Sequence, residues 1–228
     1  MPAGDPIVLP KAPHRSVAEE AANTVTHAIG LALSLAGAFA IGRAAPSLSL
    51  GTTWVCGLFV TTLIGLYTVS SCSHLVPRSM LQNRLRAWDQ GAVYLLIAGT
   101  YTPFIWASLA FPGRAIGLSL LWCAAAAGFV SKVIAQHRVN SMRPRSYLLL
   151  GWLPAVFLFR HVPGATLFWM GAGGLSYTLG TLFLKADTRV PYFHATWHLF
   201  VVLGSACHFY AIYDFLMAPE LADAGRRL

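Results

Sequence analysis

Charge is what this sequence has least of. Only 11% of its 228 residues are Asp, Glu, Lys or Arg, and just 8 of those are acidic. An ordinary soluble domain carries about 25% charged residues, so the hydrophilic surface of a soluble globule this long is missing. That scarcity argues against a cytosolic enzyme, and the 56% hydrophobic content excludes a disordered chain. Cysteine is scarce too. Cys56, Cys72, Cys123 and Cys207 all lie inside apolar runs, and Cys56 and Cys72 fall on one expected helix, roughly 24 Å apart at about 1.5 Å per residue. No disulfide framework is implied, and the four read as small buried hydrophobes. The net charge of +8 has no long Lys/Arg cluster behind it, so no nucleic-acid partner is expected.

What is present is long apolar runs broken by short basic loops, the pattern of a polytopic helical membrane protein. Seven stretches are expected to span: 24–42, 50–72, 90–111, 115–135, 146–159, 162–184 and 193–215. The fifth is short, carries Pro154 and is flanked by Arg145 and Arg160, whose long side chains can reach the headgroups. The expected organisation is a cytoplasmic N-terminal tail over 1–23, a seven-helix transmembrane domain over 24–216 and a short C-terminal tail over 217–228. The tail is Pro-rich and mixed in charge, with no cleavage site after the first apolar run, so it reads as retained rather than as a signal peptide. With the N-terminus inside, the inner loops hold 11 Lys and Arg and the outer loops 5, and the positive-inside rule favours N-in, C-out. No extramembrane domain, repeat or low-complexity segment is visible. These features fit a bacterial inner membrane.

Ionisable groups at membrane depth are costly and mark function by default. Glu20, Asn23, His27 and Gly30 recur at i, i+3, i+7 and i+10, one stripe of a helix. Ser70 and His74 are four apart at the end of the second span, and Asp89 opens the third. His194 and His198 are i and i+4 on the seventh, with Ser205 and His208 continuing that face. Under the N-in topology His27, His74, Asp89, His194 and His198 share one membrane level, at the cytoplasmic side. Removing the fifth span would separate His194 and His198 from His74.

Three histidines and a carboxylate at one depth suggest a metal site. Two His at i and i+4 present both imidazoles on one face, and a third from a neighbouring helix completes a His₃ set. Such a set with an open fourth position is a catalytic zinc arrangement, because the vacancy holds a water whose pKa falls to about 7. A lone intramembrane histidine is more often a hydrogen-bonded helix contact, the role expected of His27 and His208. His14, His137 and His161 fall in tail or loops and read as solvated. Gly99 to Pro103 reads as a proline-kinked packing point.

The run from Glu20 through Asn23 and His27 to Gly30 resembles the opening motif of the hemolysin III family, the bacterial branch of the progestin and adipoQ receptors. So do Ser70-x3-His74 with Asp89 in RAWDQGAVYLLIAGTYTPF, and HATWHLFVVLGSACHFYAIY. The three motifs run from Glu20 to Tyr213, nearly the whole chain. The resemblance implies a seven-helix bundle with zinc held near the cytoplasm by His74, His194 and His198. It makes Asp89 and Ser70 the polar partners of the zinc water or of the ligands, and implies kinship with membrane ceramidases, which hydrolyse a lipid amide bond. One departure is Ser73, directly before His74, where a tyrosine or phenylalanine is expected.

The favoured function is a zinc-dependent lipid amide hydrolase, with Asp89 as proton acceptor, Ser70 as an orienting hydroxyl and a membrane lipid entering from the bilayer. Two alternatives stand beside it. One is a receptor or sensor in which zinc is structural, with Cys72 the one cysteine near enough to fill the fourth position. The other is a cytolytic pore, against which stands the lack of charged groups to line a channel.

Overall fold

The computed structural model describes residues 15–77, 79–134 and 144–226. Within them the chain is helical: α1 Val17–Ala44, α2 Leu50–Leu75, α3 Met80–Ser108, α4 Gly113–Val133, α5 Arg145–Leu158, α6 Gly164–Ala186 and α7 Phe193–Ile212. A five-residue π turn, Tyr213–Met217, carries α7 into a short α8, Ala218–Gly225. Five helical stretches are long and apolar enough to cross a membrane: Val17–Ser47, Leu50–Leu75, Gly113–Val133, Gly164–Ala186 and Phe193–Gly225.

The other two of the seven differ for separate reasons. α5 has 14 residues, about 21 Å at 1.5 Å each, short of a hydrocarbon core of about 30 Å. α3 is long enough, but its first three turns carry Arg84, Arg86 and Asp89. It can carry them because it sits innermost, packed against α2, α4, α5 and α7. α1 meets both α2 and α7, and α6 lies along α7, so the first and last long helices close the bundle.

Helix ends explain where the elements begin. α1 starts inside the expected tail because Ser16 and Glu19 form a reciprocal capping box, each side chain answering the other's backbone N–H. α3 starts at Met80, well before the expected span, because the Ser79 hydroxyl accepts from the Gln82 N–H. The expected C-terminal tail is helical as far as Gly225. Lys11, His14 and His137 lie outside the described residues.

The surface is inside out relative to a soluble protein. Large apolar side chains such as Phe39, Trp54, Leu153 and Phe168 are at least two-thirds exposed, while Asn23, His27, Ser70, Gln90 and His198 are buried. An apolar exterior of this extent marks contact with lipid. Close approach of the helices depends on glycine: a Cβ on Gly30 would lie 2.4 Å from the Tyr67 ring, and one on Gly173 would lie 2.3 Å from the His208 ring. At Gly99 to Pro103, Thr100 and Thr102 turn their hydroxyls onto the carbonyls of Leu96 and Ala98, and a Cβ on Gly99 would strike Thr62. This segment is a packing point.

Arg15 reaches Asp187 before α7, whereas Glu220 in α8 reaches Ser49 at the start of α2. The two ends of the described chain therefore lie at opposite ends of the bundle.

Candidate metal centre

The start of α1, the end of α2, the start of α3 and the start of α7 meet at one end, and four imidazoles gather there. Ring centroids are 3.7 Å apart for His27 and His198, 4.5 Å for His194 and His198, 5.2 Å for His74 and His198, and 5.3 Å for His74 and His194. His27, His74 and His198 are buried, and their ligand atoms all lie within 4.8 Å of one another, a group able to hold a metal ion. The expected trio of His74, His194 and His198 shares two members with this one. His194 adjoins them through its ring contacts, but its nitrogens are not among the atoms that converge within 4.8 Å.

The nitrogens that face outward are engaged. His74 Nδ1 donates to Glu20 Oε2 at 2.7 Å, and His194 Nδ1 to Asp187 Oδ2 at 2.7 Å. His198 Nδ1 lies 3.1 Å from Thr26 Oγ1. That hydroxyl has one proton, given to the backbone carbonyl of Ala22 or Asn23, so toward His198 it accepts. A ring that donates from Nδ1 to these acceptors keeps its lone pair on Nε2, although at His194 an Arg15 guanidinium nitrogen also lies 3.1 Å from Nδ1. The Nε2 atoms of His74 and His198 are buried with no partner. Leaving a buried polar atom unsatisfied costs about 1–3 kcal/mol, and a metal ion is the group such lone pairs suit. The donor set fits zinc, for which neutral imidazole is a usual ligand and a hydrogen-bonded far nitrogen the usual support.

Asp89 and Ser70 stand beside this cluster. The Ser70 hydroxyl donates to Asp89 Oδ1, and Ser73, buried at the departure from the expected aromatic, donates to the Ser70 carbonyl at 2.9 Å. Asn23 donates to Glu20 Oε2 at 3.3 Å. His208 is further along α7, where its hydrogen bond goes to the Gly204 carbonyl of its own helix at 2.8 Å and its contact with a neighbouring helix is the stacking on Tyr177. His27 departs from expectation. It is not a hydrogen-bonded helix contact, since neither ring nitrogen has a partner. It is held by ring packing against His198, His74 and Tyr67 instead. Cys72 is a free thiol and is not one of the residues whose ligand atoms converge. His161 is exposed and stacks on Phe157.

The family described as "Haemolysin-III related" matches residues 15–209 of this chain. That stretch contains every residue of the cluster. The chain belongs to the haemolysin-III-related family. Among its relatives are Hemolysin-3 of Bacillus cereus, 31% identical with 88% of this chain and 93% of the relative covered, and the Hemolysin-3 homolog of Bacillus subtilis, 33% identical with 86% and 94% covered. The human Monocyte to macrophage differentiation factor is 30% identical, with 87% of this chain and 84% of that protein covered. The chain is an integral membrane protein of this family.

In this haemolysin-III-related bundle a cavity opens beside the cluster, and His27 is the cluster histidine that lines it. His27, Ser70 and Asp89 line one part of it, and apolar residues of five helices line most of the remainder, among them Leu66, Ile97, Ala155, Met170 and Val201, with Thr100, Thr178, Thr181 and His208 also in the wall. Three partners of the histidines escaped the sequence reading. Arg15, Thr26 and Asp187 carry no motif that singles them out along the chain. Spacing offers no signal for contacts such as Arg15 to Asp187, which are 172 positions apart.

Proposed function

We propose that this chain is a zinc-dependent hydrolase of an amide bond in a membrane lipid. The observation that carries the reading is the cavity beside the histidines, where His27, Ser70 and Asp89 meet a wall that is mostly apolar. Such a lining suits a ligand with a reactive polar group and a hydrocarbon tail. Nε2 of His74, His194 and His198 would hold the ion. The carboxylates on His74 and His194 and the hydroxyl on His198 favour this trio over one containing the unsupported His27. Zinc held there would supply a Lewis acid for the amide carbonyl and lower the pKa of a water.

The chain's own groups then carry the proton. Ser70 occupies one lone pair of Asp89 Oδ1 and fixes the carboxylate, which keeps acceptor capacity for a water proton. Water adds to the carbonyl carbon as Asp89 takes that proton. The C–N bond breaks as the proton passes to the leaving nitrogen, giving a fatty acid and an amine. The apolar wall would hold the acyl chain and exclude bulk water. We infer a bacterial inner membrane with the cluster on the cytoplasmic side, a reading supported by the basic loops at that end.

The test measures zinc content and fatty acid release together on purified protein, across ceramide and other N-acyl lipids. One zinc per chain with fatty acid release is expected. Full zinc with no release from any of them would sink the hydrolase. A second reading, a receptor or sensor with structural zinc, is favoured by His27, whose ring lies 3.7 Å from His198 and offers a fourth imidazole. Loss of zinc from His27→Ala, with no lipid hydrolysis by the wild type, would establish it.

A further inference from the structure

Two chains of the same build, arginine to carboxylate to histidine, approach the cluster from different parts of the sequence. In the first, Arg86 lies 3.8 Å from Glu20 Oε1, and Glu20 Oε2 accepts from His74 Nδ1 at 2.7 Å. In the second, Arg15 donates to Asp187 Oδ2 at 2.5 Å, and the same oxygen accepts from His194 Nδ1 at 2.7 Å. A carboxylate only accepts, so Glu20 fixes the tautomer of His74. At His194 Nδ1 the Asp187 oxygen at 2.7 Å is closer than the Arg15 guanidinium nitrogen at 3.1 Å, which can only donate, and both carboxylate contacts hold the ring orientation. Each guanidinium supplies the counter-charge that a carboxylate in a low-dielectric setting needs.

Both chains depend on the first turn of α1. Arg15 stands just before it and Glu20 within it, and the Ser16–Glu19 capping box holds the turn in shape. Glu19 Oε1 also accepts the backbone N–H of Tyr192 at 3.4 Å. Tyr192 has φ 62°, an uncommon conformation for a bulky residue, and it directly precedes the helix that carries His194 and His198. One helical turn thus grips His74 from α2 and, through Asp187 and Tyr192, the segment leading into α7.

We propose that Glu20 and Asp187 are positioning residues for the metal ion, aiming Nε2 of His74 and His194 inward, with the first turn of α1 as the element that sets both. The inference rests on the metal reading above. Removing such outer partners lowers metal affinity by about 10–100-fold. Glu20→Gln and Asp187→Asn keep side-chain volume and remove the charge.

The experiment uses the full chain in detergent and measures Zn²⁺ affinity by competition with a chromogenic chelator, alongside the visible ligand-field bands of the Co²⁺-loaded protein. Each variant should bind Zn²⁺ about 10–100-fold more weakly and shift the Co²⁺ bands, and Asp187→Glu should recover part of the loss. A merely structural role would lower the unfolding temperature of the metal-free protein but leave affinity and bands unchanged, and that result overturns the proposal. If Glu20→Gln does not fold, Asp187→Asn and Arg15→Ala decide the matter, and unchanged affinity in both overturns it. A wild type that takes up neither Zn²⁺ nor Co²⁺ removes the metal reading, and this inference with it. A metal-loaded wild type with indifferent variants removes the inference alone.

Discussion

Glu220 and Glu20 sit at opposite ends of the bundle, and both accept hydrogen bonds from a neighbouring helix. Glu220 takes the Ser49 backbone N–H at 2.6 Å, the Ser49 hydroxyl at 3.1 Å and the Thr52 hydroxyl at 2.7 Å. All three donors belong to the N-terminus of α2, where a negative charge is favoured and backbone N–H groups need acceptors. That network is complete in itself. Glu20 and Asp187, at the other end, accept from His74 and His194 in a cluster that stays open inside: the Nε2 atoms of His74 and of neighbouring His198 are buried without a partner. The same carboxylate chemistry fastens the fold at one end and leaves lone pairs for a ligand at the other. A polar network that closes serves stability, and one that stops short inside the protein points to binding.

The comparison can be broken in several ways. The largest outcome is all or none: reporter fusions at the two termini should report opposite faces of the membrane, with the N-terminal fusion inside. Both termini on one side would separate the histidine end from the cytoplasm and refute the topology. Next, His74→Ala and His198→Ala should each abolish metal binding in the purified protein, read by elemental analysis, while Glu220→Ala keeps the wild-type metal content. Metal retained at full level by His198→Ala would remove the cluster as a site. Asp89→Asn should keep the metal yet lower lipid amide turnover by about two to four orders of magnitude. At the closed end, Glu220→Ala should cost roughly 0.5–1.5 kcal/mol through the hydrogen bonds it removes, seen as a lower unfolding temperature with unchanged metal affinity. The smallest effect is expected of Cys72→Ala, which should leave both metal content and turnover close to wild type. Loss of metal there would mean that a thiolate closes the site.

Much of this was legible along the chain because two periodicities report two different things. Apolar runs of about 20 residues mark helices able to span, and the i, i+4 pairing of His194 with His198 and of Ser70 with His74 marks a face. Depth followed from counting spans, and the structure brings those residues to one end of the bundle. α3 was harder to read, because its Arg84, Arg86 and Asp89 look like loop residues until it is known to be the innermost helix. His27 was misread for a related reason. Whether a buried histidine is satisfied depends on atoms from other helices, and its neighbours are rings rather than acceptors. Asp187 carries no local signal, since a lone acidic residue in a turn is ordinary until a histidine from the next helix folds over it.

The sequence by itself determined where the apolar helices run and which residues share a helix face, because apolar length and helical period are local properties. Tertiary structure decided how each helix is rotated against its neighbours, through contacts as close as Gly30 against Tyr67 and Gly173 against His208. That rotation sets which imidazole nitrogen meets Glu20, Asp187 or Thr26 and which is left facing inward. A hydrogen bond requires its partners within about 3 Å along a fixed direction, and no spacing along the chain specifies that for residues more than 150 positions apart.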